Sequence, residues 1–210
     1  DIKKELKDQA PEGILMVGFN KESMAEKYIG MTIAQAANER NQTPEEAIVD
    51  LVIEDDSRIQ CIYFSMSEEN IRKKIKLSWV SFCSDAGSFS DSPEGFRTHP
   101  RAFGSFIRVI GKYSRDEGLI SLEEGIRKLT GFPAQNLGLK DRGLLKEKFY
   151  ADVVIFDPDT VGDKATFNDP LKYADGIEHV FVNGQQVIDS GFHTGVFSGK
   201  FIKGPGYINN

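Results

Sequence analysis

The sequence predicts an α/β protein in which strands and helices alternate over the first 140 residues and a small β module follows. Three apolar runs are predicted to be strands, namely Gly13–Phe19, Ile59–Phe64 and Trp79–Cys83. Segments with helical spacing separate them, and such alternation with short connections is typical of the parallel βα units of a (β/α)8 barrel. A complete barrel takes roughly 250 residues. We therefore expect this chain of 210 residues to supply only the later strands of one.

Local capping signals fix where several helices begin. The run Thr43-Pro44-Glu45-Glu46 combines an N-cap, a proline at the first helical position and a capping-box glutamate, and it predicts a helix to about Glu54. Ser67 and the run Ser121–Glu124 give similar signals. The other predicted helices cover Thr32–Arg40, Glu68–Lys76, Phe103–Arg115 and Leu122–Leu129.

Beyond residue 140 the pattern changes to β. Ala151–Pro158 and His179–Val182 are apolar strand candidates, and Asn183-Gly184 separates the latter from Gln185–Ile188. An Asn-Gly pair between two apolar runs is a strong hairpin signal. We therefore predict a boundary near residue 140, with βα units of the barrel in 1–140 and strands of a small β module in 141–210.

Charge and apolar content exclude two classes of partner. The net charge is −6, and the basic residues are scattered among acidic ones, so the sequence predicts no binding to nucleic acid. The longest apolar runs fall far short of the ~20 residues of a bilayer span, so it also predicts no membrane segment.

The cysteines and the N-terminus predict the compartment. Cys61 and Cys83 each lie in an apolar run, where we expect a free buried thiol, and a reducing cytoplasm is the natural compartment for such thiols. The charged N-terminus lacks the apolar core of a secretory signal. The absence of an initiator Met fits a chain cut from a longer one, although a processed terminus or an expression artefact would look the same.

Asp85 is the first candidate for chemistry. It directly follows the third predicted strand, at the carboxyl end where barrel enzymes keep their catalytic groups. A carboxylate there can ligate a metal and accept a proton from metal-bound water. The alternative is a structural role, since an aspartate after a strand often caps a helix or forms a turn.

A second group of candidates follows the neighbouring segments. His99 and Arg101 offer an imidazole and a guanidinium that could meet a substrate carboxylate, although a surface loop with a structural proline would look the same. Ser65 and Met66 end the second predicted strand, on the same rim as Asp85. Met66 could equally fill the core.

The sequence lacks the spacing of a metal site. Its histidines, His99, His179 and His193, form neither a one-apart pair nor an i, i+4 pair, and no Cys-x-x-Cys occurs. We expect that this chain alone does not build a zinc site. It also contains no P-loop, no dinucleotide-binding glycine pattern and no Gly-x-Ser-x-Gly elbow.

Taken together, several ordered blocks resemble the C-terminal half of the D-aminoacylases, the N-acyl-D-amino-acid deacylases of the amidohydrolase superfamily. The similarity runs from about Ile33 to Gly204. The blocks are Phe64–Glu69, Thr98–Gly111, Leu122–Thr130, Pro133-Ala134, Leu137–Gly143, Ala151–Pro158 and Val182–Gly184.

The resemblance implies a metal-dependent (β/α)8 barrel with a small β-sandwich built from both chain ends. It implies zinc-dependent hydrolysis of N-acyl-D-amino acids to a carboxylic acid and a free D-amino acid. Asp85 matches the family's aspartate after the last barrel strand, which binds metal and acts as general base and acid. Met66 matches a position that lines the side-chain pocket, and Arg101, with His99 and Ser65 nearby, is our candidate for the substrate end of the site.

Two departures from the family qualify these expectations. The family's His-x-His pair, its bridging ligand and two later histidines belong to upstream strands and have no counterparts here. The segment Ser84–Ser88 also differs from the more usual Ser-Asp-Gly, which leaves the acyl-amino-acid specificity open. We therefore expect the isolated chain to hold no stable zinc and to be inactive, while the full-length protein is active. An exposed apolar barrel seam should favour self-association.

Two other hypotheses about function remain open. The chain could be a non-catalytic, degenerate amidohydrolase-like module, which an upstream sequence without His-x-His would support. It could also belong to a related hydrolase acting on a cyclic amide or a dipeptide, which a substrate panel with an Asp85→Asn control would separate.

Overall fold

A computed structural model describes residues 2–87 and 98–207 of the chain. The helices are α1 (Ile2–Asp8), α2 (Glu22–Tyr28), α3 (Ile33–Arg40), α4 (Pro44–Asp55), α5 (Glu68–Ile75), α6 (Arg101–Arg108), α7 (Leu122–Leu129) and α8 (Gly131–Asn136), with a 3-10 turn at Pro11–Gly13 and a π-helix at Val109–Asp116. The strands are β1 (Ile14–Gly18), β2 (Gln60–Tyr63), β3 (Val153–Phe156), β4 (Ile177–Val182), β5 (Gln185–Asp189) and β6 (Phe192–His193).

The chain forms two compact units, each built from more than one segment. The first comprises residues 1–68, 86–102 and 166–171, and the second comprises 69–85, 103–165 and 172–210. The four strands β3 to β6 all lie beyond residue 140, but their unit also contains helices from before it. The boundary near residue 140 therefore stays a prediction.

In the first unit, the strands β1 and β2 pair in antiparallel fashion, with Ile14 opposite Tyr63 and Met16 opposite Cys61. Both strands were expected from their apolar runs and both are present. The expected parallel arrangement is wrong for this pair. A buried apolar run looks the same in either direction, so strand orientation depends on how the intervening helices return the chain.

The capping box predicted at Thr43 is confirmed, and Thr32 forms a second one that was not predicted. Thr32 and Thr43 each form a complete capping box, with Gln35 and Glu46 as the returning side chains. These caps satisfy backbone N–H groups that have no partner within the helix. The helices and β1 enclose a core centred on the buried side chains of Ile14, Met16, Tyr28, Ile33, Ala36 and Leu51.

The predicted third strand, Trp79–Cys83, is not a strand. The segment has no ladder partner among the described residues, and the Trp79 side chain is 71% exposed. From Val80 to Ala86 the residues alternate between half-buried and exposed. An apolar extended run becomes a strand only where a neighbouring strand accepts its hydrogen bonds, and none in the described ranges does.

The second unit contains an antiparallel sheet in the order β3-β4-β5-β6. Asn183 and Gly184 both have positive φ, 50° and 78°, and join β4 to β5 with Val182 opposite Gln185. Positive φ at both central residues is the signature of a type I′ turn. The predicted hairpin is therefore confirmed.

The predicted helix Phe103–Arg115 is two elements, α6 followed by the π-helix. Gly111 lies within the π-helix, where an added Cβ would come 2.6 Å from the backbone oxygen of Val161. Periodicity cannot distinguish an α-helix from a π-helix over one or two turns. At α7, Ser121 accepts a hydrogen bond from the backbone N–H of Glu124 as predicted, but the Glu124 side chain pairs with Arg127 instead of completing the box.

The cysteines differ in exposure. Cys61 is half-buried in β2, whereas Cys83 is exposed. The expectation of a buried thiol is therefore wrong for Cys83, because the Trp79–Cys83 segment is not covered on both faces. No helix in the described part of the chain is long and apolar enough to cross a membrane.

Candidate functional site

Asp85 lies two residues after the Trp79–Cys83 segment, in the second unit. Its backbone adopts a left-handed conformation, with φ of 48°, and its N–H donates to the Cys83 Sγ atom over 3.4 Å. The side chain is exposed. Non-glycine residues rarely adopt this left-handed conformation, although aspartate tolerates it better than most. The backbone at Asp85 is therefore in a conformation that few side chains favour.

Helix α7 anchors the segment that leads to Asp85. Arg127 donates to the backbone oxygen of Ser78 over 2.8 Å, while its Nε and Nη2 atoms also contact the Glu124 carboxylate. The Arg127 guanidinium lies 4.7 Å from the centre of the Phe132 ring. Two side chains of one unit thus hold this arginine in the orientation that reaches Ser78.

In the first unit, His99 and the end of β2 meet across Phe167. The Phe167 ring meets both the His99 ring and the Phe64 ring edge-on. The ring centres are 5.2 Å apart for His99 and 4.7 Å apart for Phe64. Ser65 and Met66 directly follow Phe64. The structure therefore places His99 and Phe64, the residue that precedes Ser65 and Met66, against the same phenylalanine ring.

The His99 ring has a defined hydrogen-bonding state. Its Nδ1 atom accepts the backbone N–H of Arg101 at 3.0 Å, so the neutral ring carries its proton on Nε2 and can donate from there. Burial, reinforced by the Arg101 charge, lowers the pKa of His99 below its ordinary value. The lowered pKa and the hydrogen bond to Nδ1 both favour the neutral ring, with Nε2 as its donor.

The other candidates of this unit are open to solvent. Met66 is 70% exposed, and Ser65 and Arg101 are also exposed. Met66 is therefore not core filler, which was the alternative interpretation of this residue.

Sequence reasoning missed Phe167. This residue lies far along the chain from both His99 and Phe64, in a loop closed by reciprocal hydrogen bonds between Thr166 and Asp169. No motif marks it. Only the folded chain brings its ring between the two candidate segments.

The described residues do not by themselves fit a zinc ion. Across residues 2–87 and 98–207, no group of three or more His, Cys, Asp or Glu side chains is placed to hold a metal. Zinc sites in proteins use three or four such ligands. Asp85 could contribute one of them.

A sequence model of the amidohydrolase family matches residues 83–188, which is half of the chain and includes Asp85, His99 and Arg101. The chain belongs to the amidohydrolase family. Ser65 and Met66 lie outside the matched range.

Three relatives refine this assignment within the amidohydrolases. The N-acyl-D-aspartate deacylase of Alcaligenes xylosoxydans xylosoxydans is 46% identical over 81 residues, which are 39% of this chain and 16% of that protein. The crystal structure of a D-aminoacylase superposes with a TM-score of 0.74 at 34% identity, covering 87% of this chain and 36% of that one. The N-acyl-D-glutamate deacylase of Bordetella bronchiseptica, solved with zinc and a phosphonate mimic of the tetrahedral intermediate, gives 0.71 at 31% identity, covering 85% and 35%.

The predicted resemblance to the D-aminoacylases and the α/β fold class are thereby confirmed. The fold of this amidohydrolase chain is that of the corresponding part of a D-aminoacylase. The matched part of the chain spans about a third of the length of the solved relatives and about a sixth of the deacylase from Alcaligenes.

Proposed function

We propose that this chain forms the C-terminal part of a zinc-dependent amidohydrolase that cleaves N-acyl-D-amino acids to a carboxylate and a D-amino acid. The observation that carries the proposal is the match to deacylases whose shared substrate feature is an N-acyl-D-amino acid. The zinc bound to the Bordetella relative supports the choice of metal.

Asp85 is the catalytic residue of the proposal. Its carboxylate accepts a proton from the attacking water, the water oxygen bonds to the amide carbon, and the proton passes to the amine nitrogen as the C–N bond breaks. Bound zinc would supply Lewis-acid activation of water and carbonyl. The remaining ligands of such a site are not grouped within the described residues. Asp85 is therefore the metal ligand that this chain contributes in the proposal.

The substrate side of the proposal uses the first-unit residues. Arg101 pairs with the α-carboxylate, for which a guanidinium fork is well suited, and His99 donates from Nε2. Ser65 and Met66 contact the D-amino-acid side chain. The Phe167 ring, which lies against both the His99 ring and the ring of Phe64 next to Ser65, supports this assignment.

The test uses the complete gene product, loaded with zinc, on N-acetyl-D-amino acids and their L-enantiomers. We expect hydrolysis of the D series only, and a ~10²–10⁴-fold lower kcat for Asp85→Asn. Asp159→Asn, an exposed aspartate of the same unit, serves as the matched control and should retain full activity. An active Asp85→Asn variant would refute the proposal, as would a full-length protein that hydrolyses none of the panel.

The proposal also covers the 210-residue chain on its own. Without a grouped ligand set it should bind zinc below one equivalent and hydrolyse no N-acetyl-D-amino acid. Stoichiometric zinc together with turnover by this chain would contradict that expectation.

Self-association is a further part of the proposal. Large apolar side chains such as Leu145 (86% exposed) and Phe197 (92% exposed) support it. Sedimentation of the 210-residue chain across a concentration series should show a rising mass, whereas a constant monomer mass would contradict it. A cytoplasmic location stays a prediction.

A further inference from the structure

Lys128 is a buried cation in the second unit. Its side chain is 1% exposed, although it lies in the short amphipathic helix α7 among residues that reach solvent. Burying an ammonium group costs free energy unless its N–H donors find partners. The partners of the Lys128 ammonium therefore indicate which part of the chain its burial stabilises.

All three N–H donors of the Lys128 ammonium have backbone acceptors. The Nζ atom donates to the carbonyl oxygens of Ile75 at 2.9 Å and Val80 at 3.0 Å, and also to that of Leu77. The nearest carboxylate oxygen, on Glu124, is 4.0 Å away. Backbone carbonyls, not a carboxylate, thus accept its hydrogen bonds.

These carbonyls belong to one stretch of chain. Ile75 is the last residue of α5, whose final carbonyls have no partner within the helix, and Leu77 and Val80 lie in the loop that follows. A cation at a helix C-terminus also interacts favourably with the helix dipole. The Lys128 ammonium therefore caps the C-terminus of α5 and binds the loop that follows it.

The same stretch carries Asp85. The Phe82 ring lies 5.7 Å from the Lys128 Nζ atom, and Asp85 follows three residues later, in a stretch without regular secondary structure that no strand pairs with among the described residues. Instead of ladder hydrogen bonds, the stretch has contacts from α7 at its start, where Arg127 binds the Ser78 carbonyl and the ammonium binds that of Val80.

We propose that Lys128 is a positioning residue for Asp85: its ammonium binds the carbonyls of Ile75, Leu77 and Val80, and so fixes where the Asp85 carboxylate stands. The proposal rests on the proposed function, in which Asp85 handles the proton. A misplacement of about 1 Å at a reacting group can cost ~10²-fold in rate. A residue that never touches substrate can therefore control kcat.

The chemistry of lysine suits this role. An ammonium directs three N–H groups tetrahedrally from one atom, whereas a guanidinium presents a planar fork. Lys128→Arg should therefore keep the charge but lose part of the geometry. Lys128→Met keeps the length of the side chain and leaves the three carbonyls without their donor.

The experiment compares variants of the complete, zinc-loaded gene product at saturating zinc, well below each variant's melting temperature. We expect Lys128→Met to lower kcat by ~10–100-fold with KM changed less than about threefold, and Lys128→Arg to fall between it and the parent. Lys73→Met, an exposed lysine of α5 paired with Glu69, is the matched control and should retain kcat.

A double variant separates positioning from a merely structural role. If Lys128 acts through Asp85, adding Lys128→Met to Asp85→Asn should lower kcat by less than about twofold, because the group being positioned is already lost. A full additional 10–100-fold loss would overturn the proposal. A folded Lys128→Met with parental kcat would also overturn it.

The outcomes distinguish this inference from the proposed function. If Asp85→Asn is active, the function itself fails. If Asp85→Asn is inactive while Lys128→Met keeps its kcat, only the positioning role fails. Should Lys128→Met not fold, Lys128→Arg and Phe82→Leu carry the same comparison, and a parental kcat in both would overturn the inference.

Discussion

Both carboxylate oxygens of Asp55 accept a hydrogen bond from the backbone N–H of Asn20, at 3.1 and 2.9 Å. Asp55 is fully buried at the end of α4, and it also accepts the Lys21 N–H and the Ser57 hydroxyl. Burial alone would raise the pKa of this carboxyl, but the bonds from Asn20, Ser57 and Lys21 together lower it below its ordinary value. The end of α4 is thus tied to the turn between β1 and α2.

This arrangement predicts a pH-dependent stability. Because the folded pKa of Asp55 is depressed, its contribution is fully present above the unfolded pKa of about 3.9 and is lost as the pH falls through the folded value. Asp55→Ala should lower the free energy of unfolding by about 1–3 kcal/mol at pH 7, since it leaves buried N–H groups unpaired. Urea denaturation at pH 7 and pH 3 should show the gap between parent and variant narrowing in acid.

Asp8→Ala, which removes an exposed carboxylate, is the control for Asp55→Ala and should leave stability unchanged at both pH values. An equal loss at pH 7 and pH 3 would show that the ionised form of Asp55 contributes nothing.

The close approach of the π-helix to Val161 predicts a steric penalty at Gly111. A Cβ there would lie 2.6 Å from the Val161 oxygen and 3.1 Å from the Gly162 Cα, both backbone atoms that cannot move away cheaply. Gly111→Ala should destabilise the chain by about 1–3 kcal/mol in thermal or urea unfolding. Gly199→Ala, where nothing lies within 4 Å, should stay within about 0.5 kcal/mol of the parent. Equal stabilities of the two variants would contradict the crowding.

The two cysteines should react at different rates. Cys83 is exposed, whereas burial raises the pKa of Cys61 to about 11, so that at pH 8 only about one Cys61 thiol in a thousand is ionised. A thiol reagent should therefore modify one cysteine quickly in the native chain and the second only in denaturant. Cys83→Ser should remove the fast phase, and persistence of that phase would assign it to Cys61 instead.

The proposed contact of Arg101 with the substrate carboxylate predicts a binding defect. Arg101→Ala should raise KM for N-acetyl-D-amino acids about tenfold or more while changing kcat less, because the lost ion pair acts on the bound ground state as well as on the transition state. The control substrates are the matching N-acetyl-D-amino acid amides, in which a carboxamide replaces the α-carboxylate. Parent and variant should hydrolyse these amides equally, and a shared defect on both substrates would rule out the carboxylate contact.

Features that depend on a few neighbouring residues followed from the sequence. The capping box at Thr43 and the hairpin at Asn183-Gly184 are satisfied within four residues, so local chemistry alone determines them. The family resemblance came from ordered blocks along the chain in the same way. It selected Asp85 without any knowledge of contacts.

Tertiary structure decided what depends on distant partners. The antiparallel pairing of β1 with β2 required the chain to return across three helices, and Trp79–Cys83 stayed outside any ladder because no described strand lies beside it. Lys128, in a different helix, binds the carbonyls of Ile75 and Val80 in the stretch that leads to Asp85. Hydrogen-bond donors must meet acceptors wherever the chain is buried, and only the folded arrangement determines which distant residue supplies them.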